Sequence, residues 1–138
     1  MTTDSDTETL ARDLVVRCLR ALDERDYETL ANGFATDGVW ERGGERLTGP
    51  QAVREAMTKR PADLETQHLA FNMVVDSDGE DRLTVRYTIA AYAQKTDQPY
   101  HLHGMFKAVD RLARTANGWR FAQRSIAPAF SIQGPGAA

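Results

Sequence analysis

From Leu10 onward, apolar residues recur every three or four positions: Leu10, Leu14, Cys18 and Leu22, widened by Ala11, Val15 and Leu19. Arg12, Asp13, Arg17 and Arg20 fill the other side. This period predicts an amphipathic helix running to about Asp23. Ser5 and Glu8 have the spacing of a capping box, which would start it. Asp26 predicts the cap of a second, shorter helix with Leu30 and Phe34 inward, and Asp37-Gly38 predicts a turn. Residues 39–42 and 45–47 flank Gly43-Gly44 as a small hairpin. Thr48-Gly49-Pro50 opens a third helix, which turns Ala52, Val53, Ala56 and Met57 inward and ends at Pro61.

The period then drops to two. Leu69, Phe71, Met73 and Val75 alternate with His68, Ala70, Asn72 and Val74, and Leu83, Val85, Tyr87, Ile89 and Ala91 alternate again to about Gln94. Asp78-Gly79 joins the two runs as a hairpin. A loop over 95–99 precedes a long strand from about Tyr100 to Arg114, and Asn117-Gly118 turns the chain into a last strand ending near Ile126. Residues 128–138 have no period and are expected to be flexible, leaving an ordered core of about 7–127. Helices followed by a strand meander predict an α+β fold in a single domain, 1–138. The strands are apolar on both faces, so the face away from the helices needs a cover, and a second copy of the chain is the simplest.

Composition narrows the function classes. The chain has 138 residues, of which 41% are hydrophobic and 27% charged, with a net charge of −3. That is enough for a self-sufficient core, and its acidic balance argues against nucleic acid as a partner. One cysteine excludes an internal disulfide. No apolar run is long enough to span a membrane, and the polar, acidic start MTTDSDTETL lacks the pattern of an export signal, so a cytoplasmic location is expected. No phosphate-binding glycine loop is present, and Ser125 lacks a nucleophile-elbow context. His101 and His103 share a strand face, and with His68 they could form a three-histidine site. With no cysteine pair or acidic ligand cluster beside them, no metal is expected.

Four segments resemble the nuclear-transport-factor-2-like superfamily, in its polyketide-cyclase-like (SnoaL-like) and scytalone-dehydratase-like branch. They are LDERDYETLANGFATDGVW at 22–40, GGERLTGPQAVREAM at 43–57, His68 with Asn72, and DRLARTANGWRFAQR at 110–124. The resemblance implies a curved mixed or antiparallel sheet wrapped as a cone around three helices, an internal pocket, and a homodimer formed through the sheet. It also implies cofactor-independent acid/base chemistry on a hydrophobic, carbonyl-containing small molecule, of dehydratase or isomerase type. Fold alone does not fix function. A non-catalytic small-molecule binder and a structural subunit like the small subunits of ring-hydroxylating oxygenases therefore stand beside it.

Periodicity alone makes His68 a solvent-facing polar residue, opposite Leu69 and Phe71. The resemblance turns that face toward the pocket, where histidine is suited to proton transfer. Asp23, a cap or solvated charge on its own showing, is the carboxylate the resemblance sets beside His68. Cys18 stands where related enzymes often carry a tyrosine; by itself it reads as a small core residue. Tyr27, Tyr87, Tyr92 or Tyr100 could supply the missing hydroxyl, and Tyr92 is grouped with the substrate-binding candidates. The others in that group are Cys18, Trp40, Asn72, His103 and Arg124. The expected turn sets Arg111 opposite Arg124, an unfavourable pair. A bulge, a carboxylate such as Asp110 or Asp23, or an anionic ligand group would resolve it.

Overall fold

A computed structural model describes residues 4–130. Helix α1 spans Ser5–Asp23, α2 Tyr27–Asn32 and α3 Gly49–Met57; the strands are β1 Phe34–Arg42, β2 Glu45–Thr48, β3 Leu64–Ser77, β4 Arg82–Lys95, β5 His101–Thr115 and β6 Gly118–Pro128. One six-stranded sheet has the order β2-β1-β6-β5-β4-β3. Its neighbours are antiparallel except β1 and β6, which run parallel. Helix α1 packs on β3 and α3 on β1, so all three helices enclose one side of the sheet with their apolar faces. Among the described residues, no helix is long and apolar enough to cross a membrane.

Local chemistry explains most boundaries. The α1 cap is Asp4, not the expected Ser5–Glu8 box: its Oδ1 accepts the Thr7 N–H at 2.9 Å and its Oδ2 the Thr7 hydroxyl at 2.8 Å. Glu8 pairs with Arg12 instead. The buried stripe is Ala11, Val15, Cys18 and Leu22, whereas Leu10 is exposed. Asp26 caps α2 as expected, through the Thr29 N–H.

Several expectations need correction. Phe34 starts β1 rather than ending a helix, and Asp37-Gly38 lies inside β1 at an irregularity between Phe34 and Val39, not in a turn. A Cβ on Gly38 would sit 2.4 Å from the Phe121 carbonyl oxygen, so only glycine lets β1 run this close to β6. In β3 a bulge between Phe71 and Val74, with Asn72 at φ 56°, reverses the alternation. Leu69 (46% exposed), Phe71 (38%) and Val74 (54%) therefore face outward, while Met73 and Val75 turn to the core. The last hairpin turns at Ala116-Asn117, with Thr115 opposite Gly118 and the Thr115 hydroxyl accepting the Asn117 N–H. A further shift between Arg111 and Leu112 sets Asp110, not Arg111, opposite Arg124. Residues 128 and 129 are still held: Pro128 pairs with Phe106, and the Ala129 N–H donates to Met105. The expected flexible tail thus starts after them at the earliest, and its residues 131–138 lie outside the described chain.

Candidate active site

Asp23 is the last residue of α1, where the helix dipole disfavours a carboxylate. Three donors from β3 offset this. The Asp23 Oδ1 lies 2.5 Å from His68 Nδ1 and accepts the Thr66 hydroxyl at 2.9 Å, and Oδ2 accepts the His68 backbone N–H at 2.8 Å. Arg60 Nη2 donates to that same Thr66 oxygen at 2.9 Å, and its Nη1 donates to the Leu22 carbonyl and to Tyr27. The pair is well shielded, with 8% of the Asp23 side chain and 17% of the His68 side chain exposed. An ionised carboxylate only accepts, so Nδ1 carries the proton and Nε2 is left with a free lone pair.

His68 lines a cavity of about 180 Å³ between α1 and the sheet. Leu19, Leu22, Ile89, Phe106 and Ile126 form its apolar walls; Trp40, Arg42, His103 and Arg124 add polar groups, and among the described residues no carboxylate lines it. Leu19 and His68 also line an outer groove of about 330 Å³ that includes Asp23. The dyad thus sits at the partition between the cavity and the surface.

Behind the cavity, Arg124 is fully buried and draws three strands and α1 together. Its Nη1 donates to Cys18 Sγ and its Nη2 to the Tyr87 hydroxyl at 3.0 Å; Nε lies 3.4 Å from Asp110 Oδ1. Tyr87 donates in turn to Asp110 Oδ2 at 2.5 Å. Burial pushes the Asp110 carboxyl up despite Arg124, and pushes the Tyr87 hydroxyl well up. Burial also lifts the Cys18 thiol from 9.0 to about 11, against the pull of Arg124.

A buried, protonated thiol has two consequences. Native protein at about pH 8 should leave Cys18 unmodified by a thiol reagent that labels it rapidly in denaturant; equal rates would contradict this environment. The second is linkage. Above pH 9 the unfolded thiol ionises while the folded one does not, so stability should fall from pH 9 towards 11. Urea unfolding across that range should show part of the slope disappear in Cys18→Ala. Tyr87, raised in the same direction, accounts for a further fall beginning near its ordinary value of 10.0.

Not every candidate reaches the cavity. Trp40, His103 and Arg124 line it with His68, and Asp23 supports His68 from behind. Asn72 does not: the bulge puts it at an exposed position away from the lining. Tyr92 lies in another groove with Tyr100, Glu65 and Gln94. Cys18 touches Arg124 but is not part of the wall. Among the described residues no three metal-ligating side chains cluster, and the His101 and His103 rings are 6.3 Å apart. Arg42 was missed, although its position two residues after Trp40 puts it on the same strand face. Thr66 and Arg60, which hold Asp23, leave no sequence signal of that role.

The chain matches the SnoaL-like domain family over residues 4–125. It belongs to that family, within the nuclear-transport-factor-2-like superfamily. No curated protein matches the sequence. Among solved structures, this SnoaL-like domain is similar to a Novosphingobium aromaticivorans protein provisionally named a scytalone dehydratase, at 19% identity and TM-score 0.79 over 98% of this chain and 99% of that one. It is similar to a protein of the same bacterium provisionally named an aromatic ring hydroxylase, at 18% identity and TM-score 0.85 over 94% of each chain. A Catenulispora acidiphila protein solved in complex with S-DNPA is 20% identical, with TM-score 0.79 over 89% of this chain and 93% of that one. At these identities the likeness carries the fold. Within it, this SnoaL-like domain holds a histidine oriented by a carboxylate at the wall of a largely apolar cavity, an arrangement able to move a proton on a bound small molecule.

Proposed function

We propose that this domain is a cofactor-independent acid/base enzyme of the dehydratase or isomerase type, acting on a small cyclic carbonyl compound. The observation that carries the reading is the 2.5 Å contact between Asp23 and His68 Nδ1 at the wall of the cavity. His68 Nε2 takes a proton from the carbon next to the carbonyl, and the electron pair moves into an enolate. Asp23 stabilises the imidazolium formed. Where the substrate carries a β,γ double bond, the enolate is a dienolate, and return of the proton to the γ-carbon completes an isomerisation to the conjugated ketone. Its transfer to a β-hydroxyl, with loss of water and recovery of the carbonyl, completes a dehydration. Cavities of about 150 Å³ admit a benzene-sized ring, so 180 Å³ suits a single ring better than a fused polycycle.

Proton exchange tests the reading without knowledge of the physiological substrate. In D₂O, the wild type should speed α-deuteration of a bound monocyclic ketone, followed by NMR, and His68→Ala should not. Equal rates for both would overturn the acid/base role. One observation favours a non-catalytic binder instead: among the described residues no hydroxyl side chain lines the cavity, and Tyr87, which shares Arg124 with Cys18, is buried against Asp110. Saturable ketone binding without exchange would establish that reading. The open cavity favours both over a structural subunit with a filled cone.

The outward stripe of Leu69, Phe71 and Val74 on β3, an edge strand, supports a homodimer through the outer sheet face. Sedimentation at micromolar concentration should give twice the 15.4 kDa chain mass, and Phe71→Glu should return it to monomer. A monomeric wild type would remove this part of the reading.

A further inference from the structure

We propose that Trp40 and Arg42 form an anion-binding corner of the cavity, and that the substrate is a single-ring compound bearing a carboxylate. This rests on the cavity being a ligand site, as in the acid/base reading, and names the class of molecule it takes.

Trp40 is 2% exposed, lines the cavity, and its indole Nε1–H has no acceptor. Buried N–H groups are almost always paired, so an orphan donor in a cavity wall marks a place where a ligand oxygen belongs. Arg42 follows two residues later on β1, its guanidinium 4.8 Å from the Trp40 ring centre. Its Nε is also buried without a hydrogen-bond partner. Its ion-pair neighbour, Glu45, is 3.4 Å away, outside hydrogen-bonding geometry and half exposed. Burial first, and the nearby Arg60 charge as well, pull the Arg42 guanidinium below its ordinary value although Glu45 pulls it up; a ligand anion would relieve both effects.

The two neighbouring arginines are committed through their terminal nitrogens. Both of those of Arg124 donate to protein atoms, and its Nε, without a hydrogen-bond partner like that of Arg42, lies 3.4 Å from the fully buried Asp110. Arg60 holds the Leu22 carbonyl, Tyr27 and Thr66. Arg42 is the cavity cation whose donors remain for a ligand. A guanidinium stacked over an indole whose N–H is unpaired offers donors for both oxygens of a carboxylate. Among the described residues no acidic side chain lines the cavity to compete, and its apolar walls fit the ring.

Titration calorimetry on the full chain with benzoate and its neutral isostere benzamide tests this. The wild type should bind benzoate at least tenfold more tightly than benzamide. Arg42→Gln, at a partly exposed site that should still fold, should bring the two within about twofold, and Trp40→Phe should weaken benzoate severalfold. Asp23→Asn should keep the preference for benzoate. Equal binding of the two by the wild type, no saturable benzoate binding at millimolar concentration, or an unchanged preference in Arg42→Gln would overturn the proposal. Loss of the acid/base reading looks different: benzoate preference would stay intact while the wild type fails to exchange ketone protons. Exchange without charge preference would sink the anion corner alone.

Discussion

Asp23→Asn should leave the domain folded and lower turnover by about 10²–10⁴-fold. The reason is tautomeric as well as electrostatic. Asp23 accepts from His68 Nδ1, the His68 backbone N–H and Thr66 with its two oxygens. Asparagine has one acceptor oxygen and one NH₂ group. The backbone N–H of His68 is a fixed donor and claims the oxygen, so the NH₂ faces Nδ1. Nδ1 must then accept, and the ring proton moves to Nε2, which turns the proposed base into a donor. In serine proteases the same substitution at a histidine-orienting aspartate acts through the wrong tautomer. Turnover, or the ketone-exchange rate, measures the loss, and ¹⁵N chemical shifts of the imidazole report the tautomer. A variant with wild-type rate would show that Asp23 is only a structural partner of β3.

Arg124→Met should cost about 3–5 kcal/mol of stability, read by urea unfolding near neutral pH. The substitution leaves the buried Asp110 carboxylate facing Tyr87 with no cation, and leaves the Cys18 sulfur without its donor. The deficit should shrink in acid. Asp110 ionises with more difficulty folded than unfolded, so its penalty is largest above its raised folded value and disappears as pH falls below the unfolded 3.8. Arg124→Met with Asp110→Leu should recover most of the loss, because apolar groups of similar volume can replace a buried ion pair. A single-variant loss below about 1 kcal/mol would mean that the cluster is held by packing rather than by its charges.

The layout of helices and strands was legible because each rests on a repeating period. Ala11, Val15, Cys18 and Leu22 recur at helical spacing, and Leu83, Val85, Tyr87 and Ile89 alternate without interruption. Bulges were not legible, since an extra residue leaves no mark on the apolar count. The one at Asn72 moved that side chain out of the site and turned Val75 inward; the one beside Arg111, together with the turn at Ala116-Asn117, exchanged an Arg–Arg pair for Asp110–Arg124. The conflict expected at Arg124 was the clue that the register had to shift. Asp23 and His68 are brought together by α1 packing on β3, which periodicity does not encode; the family resemblance suggested it. Parity with Trp40 was enough to place Arg42, but its charge argued for a surface position and masked it.

The parallel seam between β1 and β6 also governs when the cavity can exist. Trp40 is registered directly against Arg124, so the floor of the cavity joins an early strand to the last one. Every other ladder in the sheet is a local hairpin able to form as its two strands appear. This one closes a loop from Trp40 to Arg124, the longest in the sheet and the kind of contact that slows folding. During synthesis, a chain halted after β5 would leave Phe34 and Trp40 with no neighbour strand on one side of β1. Such an intermediate is exposed to misassociation. Ligand competence should therefore appear in one late step, with the emergence of β6, and not build up gradually with chain length.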